Sequence, residues 1–303
     1  MTKVNISAVI SAFNEEGKIE DCLKSLKGFV DEIIFIDNSS SDKTVQIAKK
    51  YTDSVFIVPN DPVMLNRNKN LGFTKAKGQW VISIDADERV TPELAREIRK
   101  AIPNASYEAF ELPRKNIIFG KWIQHSIWWP DYNVRLFKKG FGKFPLKHVH
   151  EKLGVQGRTG RLSNPLIHYN YQTVSQFIKK LDNTYTESEA ENFIISGKNI
   201  NWYDAIRWPV GDFVKTFFLE SGYKDGFHGL ILSELQAFYS FIFFAKVWEK
   251  KEKFKDLTPS GFLQETEKEL KRSAKEIKYW VLTAKMENSQ AKKVYFKIKR
   301  RLR

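Results

Sequence analysis

Two carboxylates separated by one small residue follow the apolar segment Trp80–Ile84. Asp85 and Asp87 therefore stand at the carboxyl end of a predicted buried strand, in the sequence Ser83-Ile84-Asp85-Ala86-Asp87-Glu88, where open α/β sheets bind their ligands. Mg²⁺ often takes one or two protein carboxylates and completes its shell with water and substrate phosphates, so the pair suits a nucleoside diphosphate. Thr91-Pro92-Glu93 is typical of a helix start, and an acidic turn before a helix is the alternative interpretation. Glu88 is expected to cap that helix.

Strands alternate with helices around this pair. Apolar strands are predicted at residues 6–12, 33–36, 54–58 and 80–84, with helices near 19–26, 44–51 and 64–77. This alternation predicts an α/β fold with a mainly parallel sheet flanked by helices. Polar residues also follow the first two strands, at Asn14-Glu15 and Asp37-Asn38, which places all three groups on one rim of the sheet. The sequence has neither a glycine-rich dinucleotide fingerprint nor a phosphate loop, which weighs against a dehydrogenase or a P-loop ATPase.

The composition is that of a globular chain in a reducing compartment. Its 303 residues are 42% hydrophobic, enough for a nucleotide-binding domain and a substantial addition. One cysteine, Cys22, excludes an intramolecular disulfide and a cysteine-rich zinc site. Met1–Ile10 shows no charged segment followed by a long apolar core, so we expect neither a signal peptide nor an anchor there, and a cytoplasmic location.

Four motifs occur in an order and spacing that resemble glycosyltransferase family 2. They are residues 7–16, 36–44, 69–72 and 78–88. The resemblance implies a GT-A fold, a nucleoside-diphosphate-sugar donor, and inverting transfer with Mg²⁺ or Mn²⁺ as the cofactor. This agrees with the chemistry expected of the acidic pair, because a bound cation stabilises the negative charge of a leaving diphosphate.

The same resemblance assigns donor-binding residues. Phe13 and Glu15 match positions that hold the nucleoside, and Asp37 matches the acid that reads the base edge. Asp87 is the expected direct metal ligand, and Asp85 is expected near the ribose or the metal. The full set of donor positions is Ala12, Phe13, Asn14, Glu15, Asp37, Asn38, Lys69, Asn70, Asp85 and Ala86, of which the Lys-Asn pair is expected beside the diphosphate.

A second polar group lies at His148-Val149-His150-Glu151. An inverting transferase must remove a proton from the attacking hydroxyl, and in the resembling family an acid after the acceptor strands does so. We therefore expect Glu151 to be the base, with Asp131 as the other candidate; a surface acid paired with a basic neighbour is the remaining interpretation. His148 and His150 face one side of a predicted strand and are candidate contacts for the diphosphate or the acceptor, with His150 expected to contact the diphosphate or to orient the acid. The absence of an HExxH motif weighs against the alternative, a zinc site with Glu151 or His168.

Three regions are predicted: residues 1–106 as the nucleotide-sugar-binding half, 107–172 as the acceptor-binding half, and 173–303 as a helical, aromatic and basic extension. Strands are expected at 109–113, 115–119 and 131–137. Trp129 and Arg135 are candidate contacts for the acceptor or the diphosphate, and core packing is an equal interpretation for the tryptophan. His168, in the segment Asn164–Tyr169 that closes the catalytic region, is a further candidate contact for metal or phosphate.

The carboxy-terminal third is apolar, aromatic and basic. Helices are predicted at 173–195 and 265–285; the apolar core of Phe227–Trp248 is interrupted by polar residues and is expected to be too short to span a membrane. A helix in the membrane interface or a contact with a second copy are the two interpretations. The net charge of the chain is +14, and the tail is either solvated or attached to anionic lipid. Arg207-Trp208-Pro209 and Asp225-Gly226-Phe227-His228-Gly229 resemble the subgroup of lipopolysaccharide-core glucosyltransferases, whose acceptors are lipid-linked saccharides at the cytoplasmic face.

The sequence thus predicts a metal-dependent inverting hexosyltransferase. Its expected donor is a UDP-hexose, UDP-glucose first, and its expected acceptor is a saccharide or lipid-linked glycan of the cell envelope, such as lipopolysaccharide. A peripheral position on the inner face of the cell membrane is expected. The alternatives are a nucleic-acid-binding protein that uses the basic tail and a sugar nucleotidyltransferase that releases pyrophosphate; no nucleic-acid recognition motif supports the first.

Overall fold

The computed structural model describes residues 5–61, 65–103, 106–146 and 151–287. The chain divides into two compact units. The first comprises Met1–Trp122 and Trp128–Gln172, and the second comprises Ile123–Ile127 and Thr173–Arg303. The expected division of the first unit into donor and acceptor halves stays a prediction.

A mixed, mostly parallel sheet forms the centre of the first unit. Among the described residues its order is β3-β2-β1-β4-β8-β6-β12-β5, with β7 and β11 paired to β6, and β9 and β10 form a separate antiparallel pair. The strands β1 to β4 are parallel, whereas β8 runs antiparallel to both β4 and β6. The predicted α/β class and mainly parallel sheet are therefore confirmed. The strands are β1 (Ile6–Ala12), β2 (Glu32–Asp37), β3 (Val55–Ile57), β4 (Trp80–Ile84), β5 (Glu88–Arg89), β6 (Ala109–Ile118), β7 (Lys121–Trp122), β8 (Asp131–Lys138), β9 (Gly142–Lys143), β10 (Gly154–Val155), β11 (Thr159–Arg161) and β12 (Leu166–Tyr169).

Helices cover both faces of this sheet. They are α1 (Ile19–Leu26), α2 (Thr44–Ala48), α3 (Leu65–Lys75) and α4 (Pro92–Ala101). Successive residues of β1 point to opposite faces: Ile10 packs in the cluster that holds α1 and α4, and Val9 in the cluster that holds Phe73 of α3. The helix α3 lies very close to the sheet, because a Cβ on Gly72 would stand 2.3 Å from a methyl carbon of Val9.

Two local expectations for this unit were wrong. Residues 109–118 form one continuous strand rather than two; Pro113 lacks an N–H, but its fixed φ is compatible with an extended backbone. Glu88 was expected to cap the next helix. The cap is Thr91, whose side chain accepts a hydrogen bond from the Leu94 amide, with Pro92 in the first helical position.

The second unit is helical. Its helices are α5 (Val174–Lys180), α6 (Thr186–Ile195), α7 (Asp204–Val214), α8 (Phe227–Glu252) and α9 (Phe262–Glu287). The predicted helix at 173–195 is interrupted by a π-helical turn at Leu181–Tyr185. Phe244 and Val247 of α8 pack against Ala190 of α6 and against Ile200. Arg207 joins α7 to α9 through two hydrogen bonds to Glu269, of 2.7 and 2.5 Å.

The Asp225–Gly229 motif makes close contacts at the start of α8. The buried Asp225 carboxylate accepts hydrogen bonds from the backbone amides of Gln124 and His125, at 3.1 and 2.9 Å. A Cβ on Gly229 would stand 1.9 Å from the Gly222 carbonyl oxygen, so only glycine allows that approach. The motif therefore fixes residues 123–127 within the second unit.

The length of α8 corrects an expectation. The helix has 26 residues and, by length and composition alone, is long and apolar enough to cross a membrane, although only 33% of its most apolar stretch is buried. The polar residues Glu234 and Lys246 do not end the helix, and the expected position of α8 in a membrane interface stays a prediction.

Candidate functional site

The carboxyl ends of three parallel strands meet at one edge of the sheet. Ala12 at the end of β1 pairs in register with Asp37 at the end of β2, and Ile10 pairs with Ile84 at the end of β4. The polar residues that follow these strands are therefore neighbours, as the strand pattern predicts. Ala86 is buried within the turn after β4.

The loops after β1 and β2 are joined by side-chain-to-backbone hydrogen bonds. Asn14, at a φ of 52°, accepts a hydrogen bond of 2.8 Å from the Ser41 amide, and asparagine tolerates this left-handed conformation better than most residues. The Glu15 amide donates to the Thr44 hydroxyl at 2.8 Å. Beside them the ring of Phe13 is 43% exposed. The two loops thus form one surface with an accessible aromatic face.

Asp37 carries a buried acceptor atom that lacks a donor. The residue is 1% exposed, and its Oδ2 accepts a hydrogen bond of 2.9 Å from the Ser40 amide. Within the described residues its Oδ1 has no hydrogen-bond partner. A buried carboxylate oxygen without a partner is costly, and a ligand N–H would satisfy it. The neighbouring Asn38 is fully engaged, donating to the Ala12 carbonyl and accepting from Asn68.

Asp85 lies between two cations. Its Oδ1 is 2.6 Å from Lys69 Nζ, and its Oδ2 is 2.7 Å from Arg135 Nη2. Arg135 Nη2 also lies 2.5 Å from Glu88 Oε1, and the other Glu88 oxygen accepts a hydrogen bond from the Asp85 amide at 2.9 Å. Glu88 is completely buried. Arg135 thus lies beneath the acids and binds both of them.

The pKa values of Asp85 and Glu88 are shifted in opposite directions. Burial raises the pKa of the Asp85 carboxyl, but Arg135 and Lys69 outweigh burial and hold this pKa well below its usual range. Burial likewise raises the pKa of Glu88, and here Arg135 only partly compensates while Asp85 adds to the increase. Asp85 is therefore the more acidic member of the pair.

Further ion pairs connect Glu88 to residues of the predicted acceptor half. Arg114 lies 3.9 Å from Glu88 Oε1 and 2.5 Å from Asp131 Oδ2, which it also contacts through Nε at 2.8 Å. The other oxygen of Asp131 accepts a hydrogen bond of 2.7 Å from Asn133. Both oxygens of Asp131 are thus occupied by firm donors, which reduces their availability to accept a proton from an acceptor.

Asp87 and His168 face each other across the edge of the sheet. The Asp87 Oδ2 atom is 3.6 Å from His168 Nε2, and His168 Nδ1 is 2.6 Å from Asn116 Oδ1. The Asn116 amide nitrogen donates to the Trp128 carbonyl at 2.7 Å, so Asn116 Oδ1 is the acceptor and the proton of a neutral imidazole lies on Nδ1. His168 then presents the lone pair of Nε2 toward Asp87, as in many metal-ligating histidines.

Helix α3 holds the segment that leads to Glu151. Asn70 forms two hydrogen bonds of 2.9 Å with the backbone N–H and carbonyl of Phe144. Glu151 Oε1 accepts from the Leu146 amide at 2.9 Å and from Asn66 Nδ2 at 3.4 Å. The Asn70 amide therefore binds the backbone of Phe144, and its expected place beside a diphosphate stays a prediction.

The remaining predicted site residues are Trp129 and two histidines. Trp129 packs edge-to-face on Trp122, with ring centroids 5.5 Å apart. His148 and His150 lie outside the described residues. Within the described part of the chain, no group of three or more His, Cys, Asp and Glu side chains is placed to hold a metal. Sequence reasoning missed Arg114 and Asn116; their spacing of two residues within a predicted strand was the available signal that both lie on one face of β6.

Comparison with known proteins gives a consistent result. Residues 7–156 match the family model described as glycosyl transferase family 2. The chain is 28% identical over 258 residues to an uncharacterized glycosyltransferase of Rickettsia typhi, covering 80% of this chain and 87% of that protein. It is 27% identical over 255 residues to the lipopolysaccharide core biosynthesis glycosyltransferase LpsC of Rhizobium meliloti, covering 82% of this chain and 93% of that protein.

Solved structures are more distant. S. aureus TarS residues 1–349 in complex with UDP-GlcNAc is 14% identical with a TM-score of 0.45, covering 80% of this chain and 92% of that chain. Glucosyl-3-phosphoglycerate synthase of Mycobacterium tuberculosis in complex with Mn²⁺ and UDP-glucose is 23% identical with a TM-score of 0.33, covering 37% of this chain and 44% of that chain.

The low pKa of Asp85 predicts a pH-dependent contribution to stability. A carboxyl whose folded-state pKa is depressed stabilises the fold above its unfolded-state pKa, here near 3.8, and loses this contribution as the pH falls through the lower folded-state value. We expect Asp85→Asn to lower the free energy of unfolding by roughly 3 kcal/mol at neutral pH, because Arg135 and Lys69 lose a partner. The difference from the native chain should shrink below about pH 4.

Urea unfolding of both chains across this pH range measures the effect. Asp53→Asn is the control, since Asp53 is exposed and forms no ion pair with a described residue. The free energy of unfolding of Asp85→Asn is compared with that of the native chain at each pH. If their difference stayed constant as the pH falls, the ion pairs of Asp85 would not stabilise the fold.

Proposed function

We propose that this chain, which belongs to glycosyltransferase family 2, is a metal-dependent inverting enzyme that moves a hexose from a UDP-hexose to a saccharide or lipid-linked glycan. The observation that carries the proposal is the edge of the sheet, where the unpartnered Asp37 oxygen lies at the end of β2 and only β1 separates β2 from β4, the strand that precedes Asp85 and Asp87. The first acid suits a nucleobase and the others suit the diphosphate side of the same donor.

The chemistry of Asp37 favours uracil over cytosine. Uracil presents an N–H at its N3 position, which would donate to the unpartnered Oδ1 atom, whereas cytosine presents a lone pair there. A site with a buried acceptor rejects a ligand that lacks the matching donor, because the acceptor then stays unsatisfied. The exposed ring of Phe13 supplies an aromatic face beside this position for stacking on the base.

The residues at the edge fit a divalent cation. Asp87 and the Nε2 lone pair of His168 would hold it, with water and the donor diphosphate completing the shell of Mg²⁺ or Mn²⁺. When bound, the cation supplies positive charge that stabilises the departing UDP. Asp85 is less suited to direct ligation, because Lys69 and Arg135 already occupy its two oxygens. In this arrangement Asp85 orients Lys69 toward the diphosphate.

Glu151 is the proposed general base. In inverting transfer, the acceptor hydroxyl oxygen forms a bond to the anomeric carbon while the bond from that carbon to the diphosphate oxygen breaks, and the base takes the hydroxyl proton. Glu151 Oε1 is oriented by the Leu146 amide and by Asn66. Asp131 is the weaker candidate, since Arg114 and Asn133 hold both of its oxygens.

The acceptor proposal has separate support. The printed name of the Rhizobium meliloti relative refers to lipopolysaccharide core biosynthesis, and the chain matches 93% of that protein's length. In the second unit, Phe227, Phe238 and Phe241 lie on one face of α8 and are 73%, 43% and 44% exposed. Exposed aromatic residues, in a chain whose terminal sequence is basic, suit the interface of an anionic membrane. We therefore assign a lipid-linked acceptor at the cytoplasmic membrane surface.

A donor panel tests the proposed function. With Mn²⁺ and a mixed glycan acceptor, the purified chain should consume UDP-hexoses and use CDP-linked sugars poorly. Asp37→Ala should lower kcat/KM for the UDP-hexose by about 100-fold while changing the value for CDP-linked sugars much less. Asp53→Ala is the matched control and should leave both values unchanged. Equal use of both donor types by the native chain would refute the assigned role of Asp37.

Two substitutions separate the metal from the base. Glu151→Gln should lower kcat by roughly 10²–10⁴-fold with little change in the KM for the donor, because only proton transfer is lost. Asp87→Asn should instead weaken Mn²⁺ binding, measured by the loss of the free-ion signal in electron paramagnetic resonance titrations. Asp131→Asn serves as the comparison for the base. If Asp131→Asn abolished turnover while Glu151→Gln stayed active, the base would be Asp131.

Vesicle binding tests the membrane contact. Phe238→Ser with Phe241→Ser should reduce co-sedimentation with phosphatidylglycerol vesicles by about tenfold, because two apolar side chains no longer enter the interface. Ile195→Ser is the control, since Ile195 is also exposed but lies on α6. Unchanged vesicle binding together with loss of a dimer in sedimentation would assign this face of α8 to a second copy of the chain.

A further inference from the structure

A basic cavity of about 730 Å³ lies in the first unit, between the end of α1 and the start of α4. None of its lining residues belongs to the strand-end site. Five of them are cationic and none is acidic, and its floor includes Phe29 and Val90, which are buried. The cationic residues are Lys24, Lys27, Arg96, Arg99 and Lys100.

The charges of the cavity are only partly neutralised. Three of the five cations have an acidic partner outside the lining: Lys24 pairs with Glu20 at 3.4 Å, Arg96 with Glu93 at 2.9 Å, and Arg99 with Asp31 at 3.8 Å. Among the described residues, neither Lys27 nor Lys100 forms an ion pair. The cavity therefore has a surplus of two positive charges, which matches a phosphate dianion.

The geometry keeps these cations around an open space. Arg99 is fixed in place because it donates a hydrogen bond to the Phe29 carbonyl and lies over the Phe29 ring, 6.0 Å from its centroid. Gly28 has a φ of +77°, and no atom lies within 4 Å of the position of a Cβ on this residue. The turn that ends α1, with Lys27 next to Gly28, therefore borders open space at this position.

Helix α4 lines the cavity along its length, from Thr91 and Pro92 at its amino end to Arg99 and Lys100 in its last turn. The volume is in the range of small-ligand sites, which is about 300–1,000 Å³. A cationic rim above an apolar floor suits a ligand that joins a phosphate group to a less polar part.

We propose that this cavity is a second anion site, distinct from the donor site, that binds the phosphate group of a phosphorylated ligand through Lys27, Arg99 and Lys100. Two sources carry this chemistry: a soluble phosphorylated metabolite and a phospholipid headgroup. The cavity shares no lining residue with the proposed donor site, so a ligand can occupy it without the donor being bound.

A matched pair of double variants tests the site. Lys27→Gln with Lys100→Gln removes the two unpaired cations, and Lys49→Gln with Lys50→Gln removes the same charge from adjacent positions just after α2 in the same unit. Binding of inorganic phosphate and pyrophosphate is measured by calorimetry, and binding to phosphatidylcholine vesicles is measured with and without phosphatidylglycerol. Circular dichroism confirms that both variants are folded, as expected for exposed lysines.

The expected result is a loss of affinity of about tenfold for one probe in the Lys27/Lys100 variant, with the Lys49/Lys50 variant unchanged. Loss confined to the phosphates identifies a soluble ligand, and loss confined to phosphatidylglycerol vesicles identifies a lipid headgroup. Equal behaviour of the two variants toward every probe, or no binding by the native chain, overturns the proposal. These outcomes are independent of the donor panel, because none of the four lysines lies in the donor site.

Discussion

A buried guanidinium between two carboxylates organises the first unit. Arg135 contacts both Asp85 and Glu88, and Glu88 has no exposed surface. Charges buried in this way are costly unless each is paired, so removal of any one member leaves the others unsatisfied. The position of Arg135 follows from strand register: Leu136 of β8 pairs with Ile82 of β4, which places Arg135 beside the carboxyl end of β4. The acids are thus fixed by the sheet as well as by hydrogen bonds within their own turn.

Insertion of the antiparallel strand β8 extends this arrangement across the sheet. The register of β8 with β6 pairs Asp131 with Arg114, and Arg114 in turn approaches Glu88. Cations and anions therefore alternate from α3 through β4 and β8 to β6, in the order Lys69, Asp85, Arg135, Glu88, Arg114 and Asp131. A parallel strand at this place would reverse the direction of β8 and would separate these partners. The single reversed strand therefore joins the acidic turn to residues of the predicted acceptor half.

Local patterns in the sequence were sufficient for the strand-end residues but not for their partners. An apolar run followed by Asp85 and Asp87 indicates a strand end, because burial and turn chemistry act over a few residues. The contact between Arg135 and Glu88 spans 47 residues, and no short-range pattern encodes it. Glu88 was read as a helix cap since acids before a helix usually serve there. The place of Asn70 beside the diphosphate rests on resemblance and stays a prediction, and no local pattern indicates that its amide binds the Phe144 backbone.

The site also contains buried polar atoms that the fold leaves unsatisfied. Among the described residues, Asp37 Oδ1, Ser83 Oγ and Arg135 Nε are buried without a hydrogen-bond partner, and all three lie on β2, β4 or β8. Native proteins pair the large majority of such atoms, since each unpaired one costs about 1–3 kcal/mol. A sheet selected for stability alone would fill these positions with apolar residues. Their retention at the edge where Asp37, Asp85 and Asp87 meet is the expected cost of a site whose polar partners arrive with the ligand.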